Sequence, residues 1–326
     1  MTNNVYASKL NWLGLAPETT YGTAIAAPSL YIPVSSPSWG YTQEHLTDDG
    51  LRGFMAEDYG QVNGLRFDTV TFTADVRVDS IFQLVRQMLG VPDVVTGSAS
   101  PWTHKTSLLS SGQAQPASST IFYIDGSGNA WQMAGAQISD LKVTYNTGAL
   151  ATVDVTFIGL PATAITAPSN TPTTATPMPS YNTTITVGGT PFTRYSQFVV
   201  TMKRQTKMVP TLTGSTTPIL IFAGSLGVTA TLDGIYQGAT DPDLAAAIAN
   251  TQPAITVKVA PVGDAIDYFQ LQFSKVAYRD PKLDASNDWM TLQSDLNMLA
   301  NSTDVAGTNG WSPVLATLVN TSSIPL

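Results

Sequence analysis

Between Val70 and Val78 apolar and polar residues alternate without a break. Val70, Phe72, Ala74, Val76 and Val78 point one way, and Thr71, Thr73, Asp75 and Arg77 the other. A period of two marks a strand with one buried face. The spacing then turns helical. Asp79 is placed to cap a helix carrying Ile81, Phe82, Leu84, Val85, Met88 and Leu89, and Gly90 is placed to end it. The same succession returns further along the chain. Leu226, Val228, Ala230 and Leu232 alternate with Gly227, Thr229, Thr231 and Asp233. Asp241 then supplies a cap, Pro242 the first turn, and Leu244 to Ala249 the body of a second short helix. A strand feeding a single helix, twice over, narrows the fold more than any other feature.

The segments around these units follow the same order in both halves. The first half continues with strands over Thr120–Ile124, Ile138–Tyr145 and Leu150–Ile158, the second over Ile255–Val259, Phe269–Tyr278 and Trp289–Leu296. Each half opens alike, with Tyr31-Ile32-Pro33-Val34 matching Thr184-Ile185-Thr186-Val187, and each opening leads into a long two-strand excursion. Between the halves, residues 161–180 hold five prolines and no charge. Such a stretch is an extended linker or surface strap, because proline removes backbone donors and resists helix. Hairpin turns such as Asp125-Gly126-Ser127-Gly128-Asn129 and Asn146-Thr147-Gly148 join most strands. The expectation is a mainly β chain of two tandem antiparallel β-sandwich or half-barrel modules, residues 1–160 and 181–326, each with a flanking α-helix.

Composition bears on function. Only 12% of the 326 residues are charged, against about 25% in an ordinary globular protein. Thr, Ser, Ala, Asn and Gly take their place. A surface of uncharged polar groups suits coverage by a partner, since desolvating a hydroxyl costs less than desolvating an ion. The net charge of −8 argues against gripping nucleic acid through a basic surface. The absence of cysteine excludes disulfides, thiolate metal sites and cysteine nucleophiles. No apolar run approaches the ~18 residues of a membrane span, and Met1-Thr2-Asn3-Asn4-Val5 lacks a basic-then-apolar leader, which predicts a cytoplasmic start and no membrane. The Asn-x-Ser/Thr triplets at Asn182, Asn301 and Asn320 are what chance produces in so Thr-rich a chain.

Residues that carry chemistry are sparse. The two histidines, His45 beside Glu44 and Asp48, and His104 after Pro101-Trp102-Thr103, read as solvated loop or strand residues. The Asp125 segment resembles the start of a calcium loop, but Ala130 and Ala136 stand where Gly and Glu are needed. Asp280, Asp284 and Asp288 read as a solvated connecting loop. No nucleophile elbow, phosphate loop or nucleotide fingerprint is present. Trp39, Trp131, Trp289 and Trp311 would suit a sugar platform, although tryptophan is more often a core or interface anchor. The expectation is no enzyme, no cofactor and no metal. One charge asymmetry points instead to assembly. The first excursion, Thr42 to Gly64, holds Glu44, Asp48, Asp49, Glu57 and Asp58 against Arg52 alone. Its counterpart, Arg194 to Pro210, holds Arg194, Lys203, Arg204 and Lys207 and no acid. These are candidate complementary surfaces between copies, where charge sets register more than affinity.

The stretch Gly14-Leu15-Ala16-Pro17-Glu18-Thr19-Thr20-Tyr21-Gly22-Thr23, followed by Ala27-Pro28 and Leu30-Tyr31-Ile32-Pro33-Val34, resembles the start of tail tube (major tail) proteins of long, non-contractile-tailed bacteriophages. Asp49-Gly50-Leu51-Arg52-Gly53 and the unit ending Met88-Leu89-Gly90 fit the same family. The resemblance implies a structural virion protein of the phage tail, assembled in the host cytoplasm and stacked as rings into a tube that delivers DNA. It implies a pseudo-sixfold ring of three chains if both halves are modules, or of six chains otherwise, with residues 42–64 as the stacking loop. Expected partners are further copies, a tape measure protein inside the tube, and terminator and tip proteins at its ends, with DNA passing unbound. The polar faces Thr71, Thr73 and Asp75, or Thr152, Asp154 and Thr156, are candidates for the bore. The competing reading is a secreted carbohydrate-binding or adhesive β-sandwich.

Overall fold

The computed structural model describes residues 5–212, 214–264, 266–286, 288–307 and 310–324. The first four residues, on which the leader reading partly rests, lie outside them. The first half contributes β1 (Trp12–Pro17), β2 (Leu30–Ile32), β3 (Val34–Asp48), β4 (Gly60–Asp75), α1 (Ile81–Leu89), β5 (Val94–Thr96), β6 (Trp102–Ser107), β7 (Ser119–Ile124), β8 (Asn129–Asn146), β9 (Thr152–Gly159) and β10 (Thr163–Thr166). The second contributes β11 (Thr183–Val187), β12 (Thr190–Phe192), β13 (Tyr195–Val209), β14 (Leu220–Ile235), α2 (Pro242–Ala249), β15 (Ile255–Val259), β16 (Tyr268–Phe273), β17 (Val276–Asp284), β18 (Thr291–Met298) and β19 (Leu315–Asn320). Among the described residues every strand pairing is antiparallel, and the chain is mainly β, as its alternation predicts.

Eight strands form one continuous inner sheet in the order β3-β4-β9-β8-β13-β14-β18-β17. Its first four strands come from the first half and its last four from the second, in equivalent order. Their registers repeat as well. Thr69↔Ile158 and Asp75↔Thr152 on β4–β9 return as Thr229↔Asn297 and Ile235↔Thr291 on β14–β18. The halves join where β8 meets β13, with Val143 opposite Val200 and Thr144 opposite Val199.

Strand β8 also reaches the outer layer. Its course bends at Gly135, whose φ of +61° suits a residue without a Cβ. The part before this bend pairs with β7 and β10, and β7 continues to β1 and β2. In the second half β16 and β17 divide that role. The outer sheet there runs β12-β11-β15-β16-β19 and then takes on β6 and β5, a hairpin inserted in the first half. Among the described residues no counterpart follows α2, which reaches β15 through residues 250–254. The pairing also corrects the matched openings by one strand. β11 takes the place of β1, since each pairs with the first strand of the module's returning hairpin, so β12 rather than β11 corresponds to β2.

The helix starts differ from each other. Asp241 caps α2, accepting from Asp243 N at 2.9 Å and Leu244 N at 3.4 Å. Asp79 does not cap α1: Ser80 holds that position without a side-chain bond, and the Asp79 carboxylate accepts from Thr173 Oγ1. Gly90 ends α1 in the left-handed conformation, as expected. Thr173 belongs to the Pro-rich stretch, which is laid along the first half as a strap. Met178 within it is fully buried, donates to Val76 O at 2.9 Å and accepts from Ala151 N at 2.9 Å. Between the layers one core runs through both halves, from Phe72 and Phe157 to Phe198, Phe269 and Phe273. Each such ring contributes roughly 1.5–3 kcal/mol by burial.

Candidate assembly surfaces

The excursion Thr42–Gly64 is the far end of the β3–β4 hairpin. Glu44, Asp48, Asp49, Glu57 and Asp58 are all exposed along it. Arg52 pairs with Asp48 and lies over the Tyr59 ring, 4.8 Å from its centroid. Charge counting misses what else is there. Leu51 and Met55 are fully exposed, Phe54 is 77% exposed, and Leu46 and Val62 flank them on the strands. The tip of the β13–β14 hairpin carries exposed Leu212 and Ile219, and it touches the first hairpin through Arg66 N to Thr216 O at 2.8 Å. Sequence reasoning missed this apolar tip, and the run Leu51-Arg52-Gly53-Phe54-Met55 is the signal that could have found it.

The proposed basic surface does not form as a group. The Arg194 side chain is 8% exposed and pairs with both Asp241 and Asp243, which tie α2 to the end of the inner sheet. Burial lowers the Arg194 pKa, but the Asp241 hydrogen bond and the Asp243 charge more than reverse this and raise it. Tyr195 and Tyr278 complete the cluster, and the Tyr278 hydroxyl donates to Asp243 at 2.8 Å. Arg204 is 5% exposed. It donates to Met88 O at 2.8 Å and Leu89 O at 3.1 Å, closing the C-terminal end of α1, where carbonyls lack helical partners and the dipole favours a cation. Burial pushes its pKa down to about 10. A run of bases on an alternating strand was bound to split between faces. Only Lys203 and Lys207 stay exposed.

The uncovered face of the inner sheet is polar along its length. Thr71, Thr73, Asp154 and Thr156 share it with Asp140, Lys142, Thr201 and Lys203 around a shallow basin of about 480 Å³, and Asp75 and Thr152 continue the face beyond it. Lys142 lies 3.6 Å from Asp154 and Lys203 3.5 Å from Asp140, across strands. The face continues over the second half through Thr229, Thr231, Asp233, Asp295 and Arg279. At the ends of this sheet β3 and β17 each pair on one side only among the described residues. Both carry exposed apolar side chains, Tyr41 at 56% and Leu283 at 49%.

The residues behind the N-terminal resemblance serve the fold. Glu18 is buried, and its carboxylate accepts from Gly22 N at 2.8 Å, Gly135 N at 2.9 Å, Ser118 Oγ at 2.6 Å and Thr120 Oγ1 at 2.8 Å. Tyr21 Oη accepts from Ile221 N at 2.6 Å, tying this loop to the second half's hairpin. His45 is exposed on β3, but His104 is not solvated. It is fully buried on β6, its Nδ1 2.6 Å from Asp93 and its Nε2 2.9 Å from Ser322 O, where it holds the end of the C-terminal strand. Asp125 organises its turn by accepting from Ser127 N and Asn129 N, each at 2.9 Å. Among the described residues no group of three or more His, Asp or Glu is placed to hold a metal, and no helix is long and apolar enough to cross a membrane.

Two sheet layers around one core, an uncovered polar face and two open edges suit a building block better than a catalyst. No curated protein matches the chain. The family described as Phage tail tube protein matches residues 11–306, from the threshold of β1 to beyond β18. By that match over most of its length the chain belongs to the phage tail tube protein family and is a structural component of the virion.

Proposed function

We propose that copies of this chain join edge to edge into rings of three, and that the rings stack head to tail into a tube whose bore conducts phage DNA to the host. The observation that carries this reading is the seam inside the chain. β8 pairs with β13, while their counterparts β17 and β3 are the two open edges of the same sheet. The repeated registers relate Thr144, Val143 and Lys142 to Asp284, Leu283 and Lys282. They relate Val199, Val200 and Thr201 to Ser38, Trp39 and Gly40. Laid onto the next copy, the internal seam therefore sets Ser38 opposite Asp284 and Trp39 opposite Leu283. Val143 and Val200 are fully buried, so the joined edge would cover Trp39 and Leu283 in the same way. An unpaired edge with apolar flanks aggregates without control unless it is closed, and closure in a ring removes it.

Taking each half as one tail tube module, three copies supply six four-stranded sets, a pseudo-sixfold ring. The uncovered polar face then lines the bore. Its acids, with Asp75, Asp140, Asp154, Asp233 and Asp295 set against Lys142, Lys203 and Arg279, let DNA slide without sticking, since like charge repels phosphate. The β3–β4 tip is the stacking element, with Leu51, Phe54 and Met55 supplying buried area and the surrounding acids supplying register. A head-to-tail contact repeats without closing and so builds a filament. The family membership supports assembly in the host cytoplasm, with a tape measure protein inside and terminator and tip proteins at the ends.

The chain has no cysteine, which makes the test clean. Ser38→Cys combined with Asp284→Cys should give, on oxidation of assembled protein, a covalent ladder that stops at three chains, and images averaged by rotation should show threefold symmetry. Assembled tubes that yield no cross-link, or a ladder ending at six, would overturn the seam or the stoichiometry.

A further inference from the structure

Helix α2 is apolar all round after Asp243, reading Leu244-Ala245-Ala246-Ala247-Ile248-Ala249. A helix of that kind belongs in an interior, yet only Asp243 and Ala246 are buried, and Ile248 is 78% exposed. Counted from the cap positions Ser80 and Asp241, the buried Leu84, Gln87 and Met88 of α1 correspond to Ala245, Ile248 and Ala249, all three exposed. The first half shows what covers such a face. α1 packs under β6 and β19, and β19 belongs to the second half. Its last carbonyls are taken by Arg204, four residues beyond Val200 on β13 across the internal seam.

Carried to the seam between chains, the same relations give the identity of the cover. The place of β13 is taken by β3 of the next copy, where Trp39 and Tyr41 stand at the positions of Val200 and Met202. The Trp39 and Trp131 rings pack at a tilt with centroids 5.0 Å apart, and Trp131 pairs in register with exposed Ala164 of β10. We propose that the outward face of α2, centred on Ile248, is a chain–chain contact that seats on the aromatic surface formed by Trp39, Tyr41 and Trp131 beside β10 of a second copy. The proposal rests on the ring reading and adds a second seam, outside the sheet edge. It follows from the missing hairpin: among the described residues the second half has no β5–β6 counterpart, and α2 has no lid from its own chain.

The experiment is run in the Ser38→Cys/Asp284→Cys background, so that failure of the ring itself appears as loss of that cross-link before Ile248 is touched. Ile248→Asp should leave the thermal midpoint of the unassembled chain unchanged, because the side chain is exposed there. It should raise the concentration needed for assembly at least about tenfold, the equivalent of ~1.4 kcal/mol per seam. Independently, Ile248→Cys with Ala164→Cys in an otherwise cysteine-free chain should cross-link neighbouring chains. An unchanged assembly threshold in the Ile248→Asp variant, or intact rings with no Ile248–Ala164 cross-link, would overturn the α2 contact while leaving the edge seam standing.

Discussion

Helix α1 buries Ile81, Phe82, Leu84, Val85, Met88 and Leu89 completely, whereas α2, in the matching place on the second half, buries only Asp243 and Ala246. The two are also anchored by different chemistry. α1 lies between the inner sheet and a roof made by β6 and β19, so apolar contact surrounds it. α2 meets β17 on one side, and its first turn is held by the Arg194–Asp241–Asp243 cluster with Tyr195 and Tyr278. One inserted hairpin accounts for the difference. Where the roof exists, burial dominates and Arg204 closes only the C-terminal end; where it is missing, the first turn is pinned by charged hydrogen bonds and the rest of the helix keeps an exposed apolar face. Two halves that share strand order thus need not share the forces that hold them.

Three substitutions or titrations sharpen this contrast. Phe82→Ala removes a fully buried ring from α1 and should cost about 4 kcal/mol, read as a lowered urea midpoint of the unassembled chain. A loss below about 1 kcal/mol would contradict the apolar anchoring. Arg194→Met leaves Asp241 and Asp243 buried without their cation and should cost about 3 kcal/mol. If the loss is no larger than for an exposed residue, the cluster does not hold α2. The smallest effect is expected in acid. Burial raises the Asp241 pKa, but Arg194 and the backbone donors of Gln237 and Asp243 outweigh it and hold the carboxyl below its usual range, whereas burial pushes Asp243 up. A depressed carboxyl adds stability that is present above the unfolded value of about 3.9 and is lost as pH falls through the folded value, and a raised one acts in reverse. The stability gap between wild type and Asp241→Asn should therefore be full at neutral pH and close below about pH 3.9. Urea midpoints whose difference stays constant through that range would remove the ionic account of Asp241.

Much of this architecture was legible in the residues. The alternation at Val70–Val78 and Leu226–Leu232, the Asp241-Pro242 start of α2, the Gly90 end of α1 and the hairpin at Asp125 are local patterns, and each forms as its residues require. The acids around Asp48 were legible as exposed for the same reason. The candidate basic surface was not. Whether Arg204 faces water or the end of α1 depends on a partner 116 positions away, Met88. His104 was equally opaque, since the carbonyl that meets its Nε2 belongs to Ser322, 218 positions on.

By itself the sequence determined the strand and helix periods at Val70–Leu89 and Leu226–Ala249, the Asp241 cap of α2 and the Gly90 stop of α1. Those properties arise from side chains acting on their near neighbours along the chain. Only the tertiary structure decided that the halves share one sheet, that β3 and β17 are its open edges, and that a hairpin from the first half roofs α1 but not α2. Each of these depends on which backbone donors meet across the sheet, and pairing over such separations is chosen by the closing of the whole core rather than by any local pattern.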